Sequence, residues 1–104
     1  MTETLDIRIA PQALAQIEEA AEWWEHNRPS APNAIAEDVR EILTLLSTQP
    51  GVGTPMRRRR VKGLRRVVLT RVRYYVYYRV AGHVLEVLAF WHTSRGQSPR
   101  IRSQ

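Results

Sequence analysis

The chain has 104 residues, 43% of them hydrophobic and 25% charged, and it contains no cysteine. It is long enough for one domain with its own core, spanning 1–104, and the missing cysteines exclude disulfides and thiolate metal sites. The formal charge of +6 is unevenly spread: residues 1–52 carry three arginines against nine acidic residues, whereas residues 53–104 carry twelve arginines and Lys62 against Glu86 alone. That split of −6 against +12 implies a face that attracts nucleic acid, phosphate or an acidic protein segment. The acidic N-terminus, Met1 to Asp6, lacks the apolar stretch of a secretory signal, and no run approaches the roughly 20 apolar residues of a membrane span. A cytoplasmic protein with no membrane contact is expected.

Leu5-Asp6-Ile7-Arg8-Ile9 alternates apolar and polar residues, the pattern of a short strand with one buried face. Ala10-Pro11 opens a helix, because proline is tolerated where the first N–H has no partner in any case. Leu14, Ile17, Ala21 and Trp24 follow at helical spacing, with Glu18, Glu19, Glu22 and Glu25 opposite and Trp23 at the edge of the stripe. Asn27-Arg28-Pro29 ends this helix. Ser30 is a candidate N-cap for a second, with Pro32 in its first turn and Ile35, Val39, Ile42 and Leu46 as its apolar stripe. The short connection predicts an antiparallel helical hairpin.

Pro50-Gly51-Val52-Gly53-Thr54-Pro55 reads as a loop. Beyond it lies basic, aromatic, β-branched sequence: Met56, the run Arg57-Arg58-Arg59-Arg60, then strands near Arg65–Arg71, Tyr74–Val80 and Val84–Trp91. Ala81-Gly82-His83 is a tight hairpin turn. The last strand is apolar on both faces apart from Glu86 and His92, which predicts a central position. About half of Tyr74, Tyr75, Tyr77 and Tyr78 should face the core. Residues 95–104 read as a mobile tail. The order β-α-α-β-β-β is that of an α+β domain with a helical hairpin packed on a small antiparallel sheet.

This order resembles the RelE/ParE superfamily of toxins from type II toxin–antitoxin modules, from about Ile7 to Arg95. The matching phrases are Ala10-Pro11 at the strand-to-helix junction, Trp24 near the first helix's end, and the Pro50 to Gly53 loop. They continue with Gly63-Leu64-Arg65-Arg66, Tyr74-Tyr75-Val76-Tyr77-Tyr78-Arg79-Val80, and a last strand closing on His92-x-x-Arg95. The similarity is closer to the ParE, plasmid-stabilisation branch than to RelE. It implies growth arrest, neutralisation by a cognate antitoxin whose acidic C-terminal segment wraps the toxin, and operator DNA contacts only through the antitoxin. ParE-like members act on DNA gyrase; RelE-like members cleave mRNA on the ribosome.

The two branches ask different things of the residues. Cleavage of RNA by its own 2′-hydroxyl needs a base, an acid and cations around one phosphate. Arg65, Arg79 and His92 are the candidates for such a ribonuclease, but no tyrosine follows Tyr78 and no histidine follows His92, where the RelE branch usually carries one. A non-enzymatic toxin is therefore expected, with Arg57, Arg58, Arg59, Arg60, Arg65, Arg79 and Arg95 as target- or antitoxin-binding residues. Arg65 and Arg79 have a structural alternative, lying over aromatic neighbours. His26, His83 and His92 have no clustered carboxylates beside them in sequence, so neither a metal nor a cofactor is expected.

Overall fold

In the computed structural model, which describes residues 3–58 and 60–101, two helices pack on one face of a five-stranded sheet. In chain order the elements are β1 (Asp6–Ile9), α1 (Pro11–Asn27), α2 (Ala34–Thr48), a single 3₁₀ turn (Pro50–Val52), β2 (Thr54–Pro55), β3 (Arg65–Leu69), β4 (Tyr74–Ala81) and β5 (Val84–His92). The sheet order is β1-β5-β4-β3-β2. The last strand is thus interior, paired on both edges, in keeping with its two apolar faces. Among the described residues no helix is long and apolar enough to cross a membrane.

The sheet is mixed rather than antiparallel throughout. β1 runs parallel to β5, with Ile7 opposite Leu85, while the other three pairings are antiparallel. The β4–β5 hairpin occupies one edge of β5 and leaves the other to β1. Ala10 N–H continues that ladder to Val87 O at 2.9 Å before Pro11 turns the chain into α1. A helical crossover between β1 and the rest of the sheet permits the parallel pairing that a two-residue turn could not.

Each helix differs from its sequence reading by a small shift. In α1 the buried residues are Ala13 and Ala20, with Ile17, Ala21 and Trp24 packed beside them, whereas Leu14 is 46% exposed. The stripe is 13, 17, 20 and 24, one position earlier at its start, because alanine lets the helix lie close against β5. α2 begins at Ala34, not after Ser30: residues 29–33 form turns, and Asn33 holds the cap position with no side-chain bond. Its stripe of Ile35, Val39, Ile42 and Leu46 joins the core as the spacing demands.

A second cluster covers the far face of the sheet. Ala10, Val61, Leu64, Tyr77, Leu88 and Ala89 are buried there, with Met56, Tyr75, Trp91 and Ile101 around them. The register slips between Tyr77 and Tyr78, which face Ala89 and Val87. Leu88 is therefore the extra residue of a β-bulge, and it and Ala89 both join this cluster while Phe90 returns to the helix side. Cover on both faces explains why Tyr77 and Tyr78 are both buried despite pointing opposite ways. The segment after Ser94 is part of that cover. Trp91 Nε1 donates to Gln97 O at 2.7 Å, Gln12 Nε2 donates to Arg100 O, and Pro99 is buried. Of the tail expected at 95–104, residues 95–101 make these contacts, and 102–104 lie outside the described residues.

Candidate functional site

The alternation of β3 and β4 sorts the basic and aromatic residues onto two faces. Arg65 shares the helix side with Val67 and Leu69, and its guanidinium is turned onto the loop before β2: Nη1 donates to Gly53 O at 2.7 Å and Gly51 O at 3.3 Å. Tyr78 clasps the same loop, donating to Pro50 O at 2.7 Å and accepting from Gly53 N–H at 2.9 Å. A Cβ at position 53 would stand 2.4 Å from the Tyr78 hydroxyl, so the close approach requires glycine. Burial pushes the Tyr78 phenol up from its ordinary 10.0, against the pull of the Gly53 N–H and the nearby Arg65 charge. Arg65 and Tyr78 together shape the loop from which the arginine run departs.

Arg79 lies on the far face in a row across three strands. Its Nε donates to Glu86 Oε1 at 3.0 Å, and Arg8 Nη1 approaches Glu86 Oε2 at 3.9 Å. The Arg79 and Glu86 side chains are 16% and 8% exposed, so this is a largely buried pair. The arginine found over tyrosine rings is Arg66 instead, its Cζ 4.0 Å from the Tyr75 centroid.

His92 ends β5 on the helix side, its ring edge-on to Tyr74 at 5.0 Å. Ser94 N–H donates to its Nδ1 at 3.1 Å and Ser94 Oγ lies 2.6 Å away. With Nδ1 accepting, the neutral ring carries its proton on Nε2. His92 is paired with Tyr74, and Arg65 with Tyr78 four residues further along β4. Four residues along the strands at about 3.3 Å each, and two strand spacings of about 4.8 Å across them, put their backbones roughly 16 Å apart, and Arg79 is on the opposite face. The three ribonuclease candidates do not converge on one point.

His92 instead joins a cleft of about 850 Å³ between the end of α1 and the adjoining end of the sheet. All three tryptophans of the chain line it, with Tyr74, Glu19, Arg28, Arg71, Arg73 and Arg95. Trp23 is 49% exposed and meets Trp24 edge-on, with Arg28 over both rings. Arg95 lies over Trp91 at 4.1 Å. Tyr74 stacks on Phe90 at 4.4 Å; burial raises its pKa, Arg95 opposes and Glu19 adds. Arg71 is bound to Asp38 at 2.6 Å and Glu37 at 3.1 Å, which hold its pKa above the ordinary value. Arg73 adopts φ 62°, a left-handed conformation that costs a residue with a Cβ roughly 1–2 kcal/mol.

The family described as ParE toxin of the type II toxin–antitoxin system parDE has a model that matches residues 7–96. The chain belongs to the ParE toxin family. It is similar in fold to a chain of the chromosomal ParDE toxin–antitoxin system of P. aeruginosa, with a TM-score of 0.72 at 17% identity, over 89% of this chain and 100% of that one. It is also similar to a chain of the toxin–antitoxin complex RelBE2 of Mycobacterium tuberculosis, with a TM-score of 0.57 at 20% identity, over 86% and 98%. No curated protein matches.

On this ParE-family fold the basic residues singled out from sequence separate into four environments. Arg65 is on the loop clasp, Arg79 is in the ion-pair row, and His92 and Arg95 are at the cleft. Arg57 and Arg60 are exposed and Arg58 half-buried in the connection after β2; Arg59 lies outside the described residues. The cleft as a unit was not anticipated. Trp23-Trp24, Arg73 and Arg95 are far apart in sequence, and the signal that could have joined them was the exposed Trp23 beside a helix-ending Arg28.

Proposed function

We propose that this ParE-family chain is a toxin that arrests growth by binding DNA gyrase without catalysing a reaction, and that a cognate antitoxin with an acidic C-terminal segment neutralises it. The observation that carries the reading is the dispersal of Arg65, Arg79 and His92. General acid–base catalysis requires groups within hydrogen-bond reach of the same reacting atoms. Here two of the three are engaged in holding the fold and the backbone of the third stands roughly 16 Å from that of its nearest partner in the set. The resemblance to the ParE branch supplies the target class.

In the same reading the toxin acts in the cytoplasm, contributes to plasmid stabilisation, and touches operator DNA only through the antitoxin. The arginine connection after β2 offers the charge for an acidic segment. Exposed ion pairs contribute about 0.2–1 kcal/mol each, so apolar anchors must supply most of the affinity and salt should act mainly on the association rate.

The test is a gyrase supercoiling assay run beside in vitro translation, with wild type and His92→Ala. Inhibited supercoiling by both proteins, with intact transcripts, is the expected result. Codon-phased mRNA cleavage that disappears in His92→Ala would establish the ribosome-dependent interferase instead, since loss of a general acid or base removes about 10²–10⁴ in rate.

A further inference from the structure

We propose that the cleft at the end of α1 binds a nucleoside phosphate, with the base against Trp23 and the phosphate held by Arg73. The proposal concerns a ligand site and does not depend on which macromolecule the toxin arrests.

Four guanidinium groups line the cleft against one carboxylate, that of Glu19. Their partners differentiate them. Arg71 is held by Asp38 and Glu37, Arg28 lies over Trp23 and Trp24, and Arg95 lies over Trp91. The Arg73 guanidinium has no side-chain partner among the described residues. It is also the chain's non-glycine residue at positive φ among those residues. Its backbone is tied on both sides, its N–H donating to Leu69 O at 2.8 Å and its carbonyl accepting from Thr93 N–H at 2.9 Å. A glycine would adopt that turn without strain, so the backbone does not explain an arginine there; a charge needed at the cleft does.

The aromatic side is only partly spent: Arg28 lies 5.6 Å from the Trp23 ring centroid, and the indole keeps open surface. Trp23 is half-exposed beside a guanidinium, an arrangement on which a base can stack, and every base has a face to offer. A volume of about 850 Å³ accommodates a nucleotide. An acidic peptide would use the charge but not the flat indole surface, which is why the nucleoside phosphate is favoured.

The three tryptophans all line the cleft, so their fluorescence reports on its occupancy directly. Wild-type protein is titrated with adenosine 5′-monophosphate, a short oligoadenylate and a glutamate-rich peptide, with excitation at the red edge of the indole band. The expected result is saturable quenching by both nucleotides. Equal affinity for the two assigns the site to a free nucleotide, and tighter oligoadenylate binding assigns it to a single strand. Arg73→Gly keeps the turn and should weaken binding roughly tenfold or more, the effect of losing one charged hydrogen bond. Trp23→Leu should weaken it by at least about fivefold, the lower end of base stacking on an aromatic side chain. Lys62→Ala, which removes the same charge away from the cleft, should leave it unchanged. The proposal is overturned by absence of saturable quenching, by equal weakening in Arg73→Gly and Lys62→Ala, or by tighter binding of the peptide than of either nucleotide.

Discussion

Removing the hydroxyl of Tyr78 tests whether the loop before β2 is held from inside the fold. Tyr78 is fully buried, and its hydroxyl bridges Pro50 O at 2.7 Å and Gly53 N–H at 2.9 Å. Tyr78→Phe leaves the ring's packing in place and strips the buried Gly53 N–H of its acceptor. Gly53 is buried, so the cost is that of one buried unsatisfied donor, about 1–3 kcal/mol. The Pro50 carbonyl is only half-buried and can turn to solvent. In urea unfolding the midpoint should fall at unchanged slope, and the melting temperature should drop by about 4–8 °C per kcal/mol. Arg65→Ala releases the same loop from its other side, at Gly51 O and Gly53 O. The two changes should therefore couple by about 0.5–3 kcal/mol in a double-mutant cycle. A Tyr78→Phe protein within about 0.5 kcal/mol of wild type, the range of an ordinary surface change, together with additive behaviour, would refute the clasp.

Ile35→Ala, at a position of 0% exposure, should cost roughly 2–5 kcal/mol, whereas Leu14→Ala, 46% exposed, should cost less than about 1 kcal/mol; thermal melts of the pair check the faces assigned to α2 and α1. Arg79→Met takes the 3.0 Å donor from the Glu86 carboxylate and leaves it Arg8 at 3.9 Å, so it should destabilise by up to about 3–5 kcal/mol, and adding Glu86→Leu should recover most of that loss in denaturant unfolding. Burial raises the Tyr74 and Tyr78 phenols above their ordinary 10.0. The unfolded chain then releases these protons before the folded one does. The contribution of these two phenols to stability should be level below pH 10, where both states hold the protons, and fall as pH rises above it. An alkaline unfolding series should show Tyr78→Phe with the shallower decline.

Much of the fold is carried by local pattern. The period-two run at Ile7–Ile9, the stripe from Ile35 to Leu46, Pro11 at the helix start and the apolar β5 are visible because each element's own residues dictate it. Glycine at Gly82 marks the β4–β5 turn for the same reason, at φ 61°. The charge asymmetry likewise belongs to the chain alone. What the sequence left open is what depends on neighbours distant in the chain. Whether β1 runs parallel or antiparallel to β5 is decided by how the helical layer returns the chain, not by five alternating residues. The fates of the arginines were open for the same reason. Arg73 and Arg79 are alike in sequence, each between a valine and a tyrosine, and Arg65 stands between Leu64 and Arg66. The fold places one against loop carbonyls, one against the buried Glu86, and one at the mouth of a cleft with no side-chain partner among the described residues. A guanidinium takes its role from the groups that surround it, and those groups are assembled only when the helices, the bulged β5 and the segment 95–101 close on the sheet.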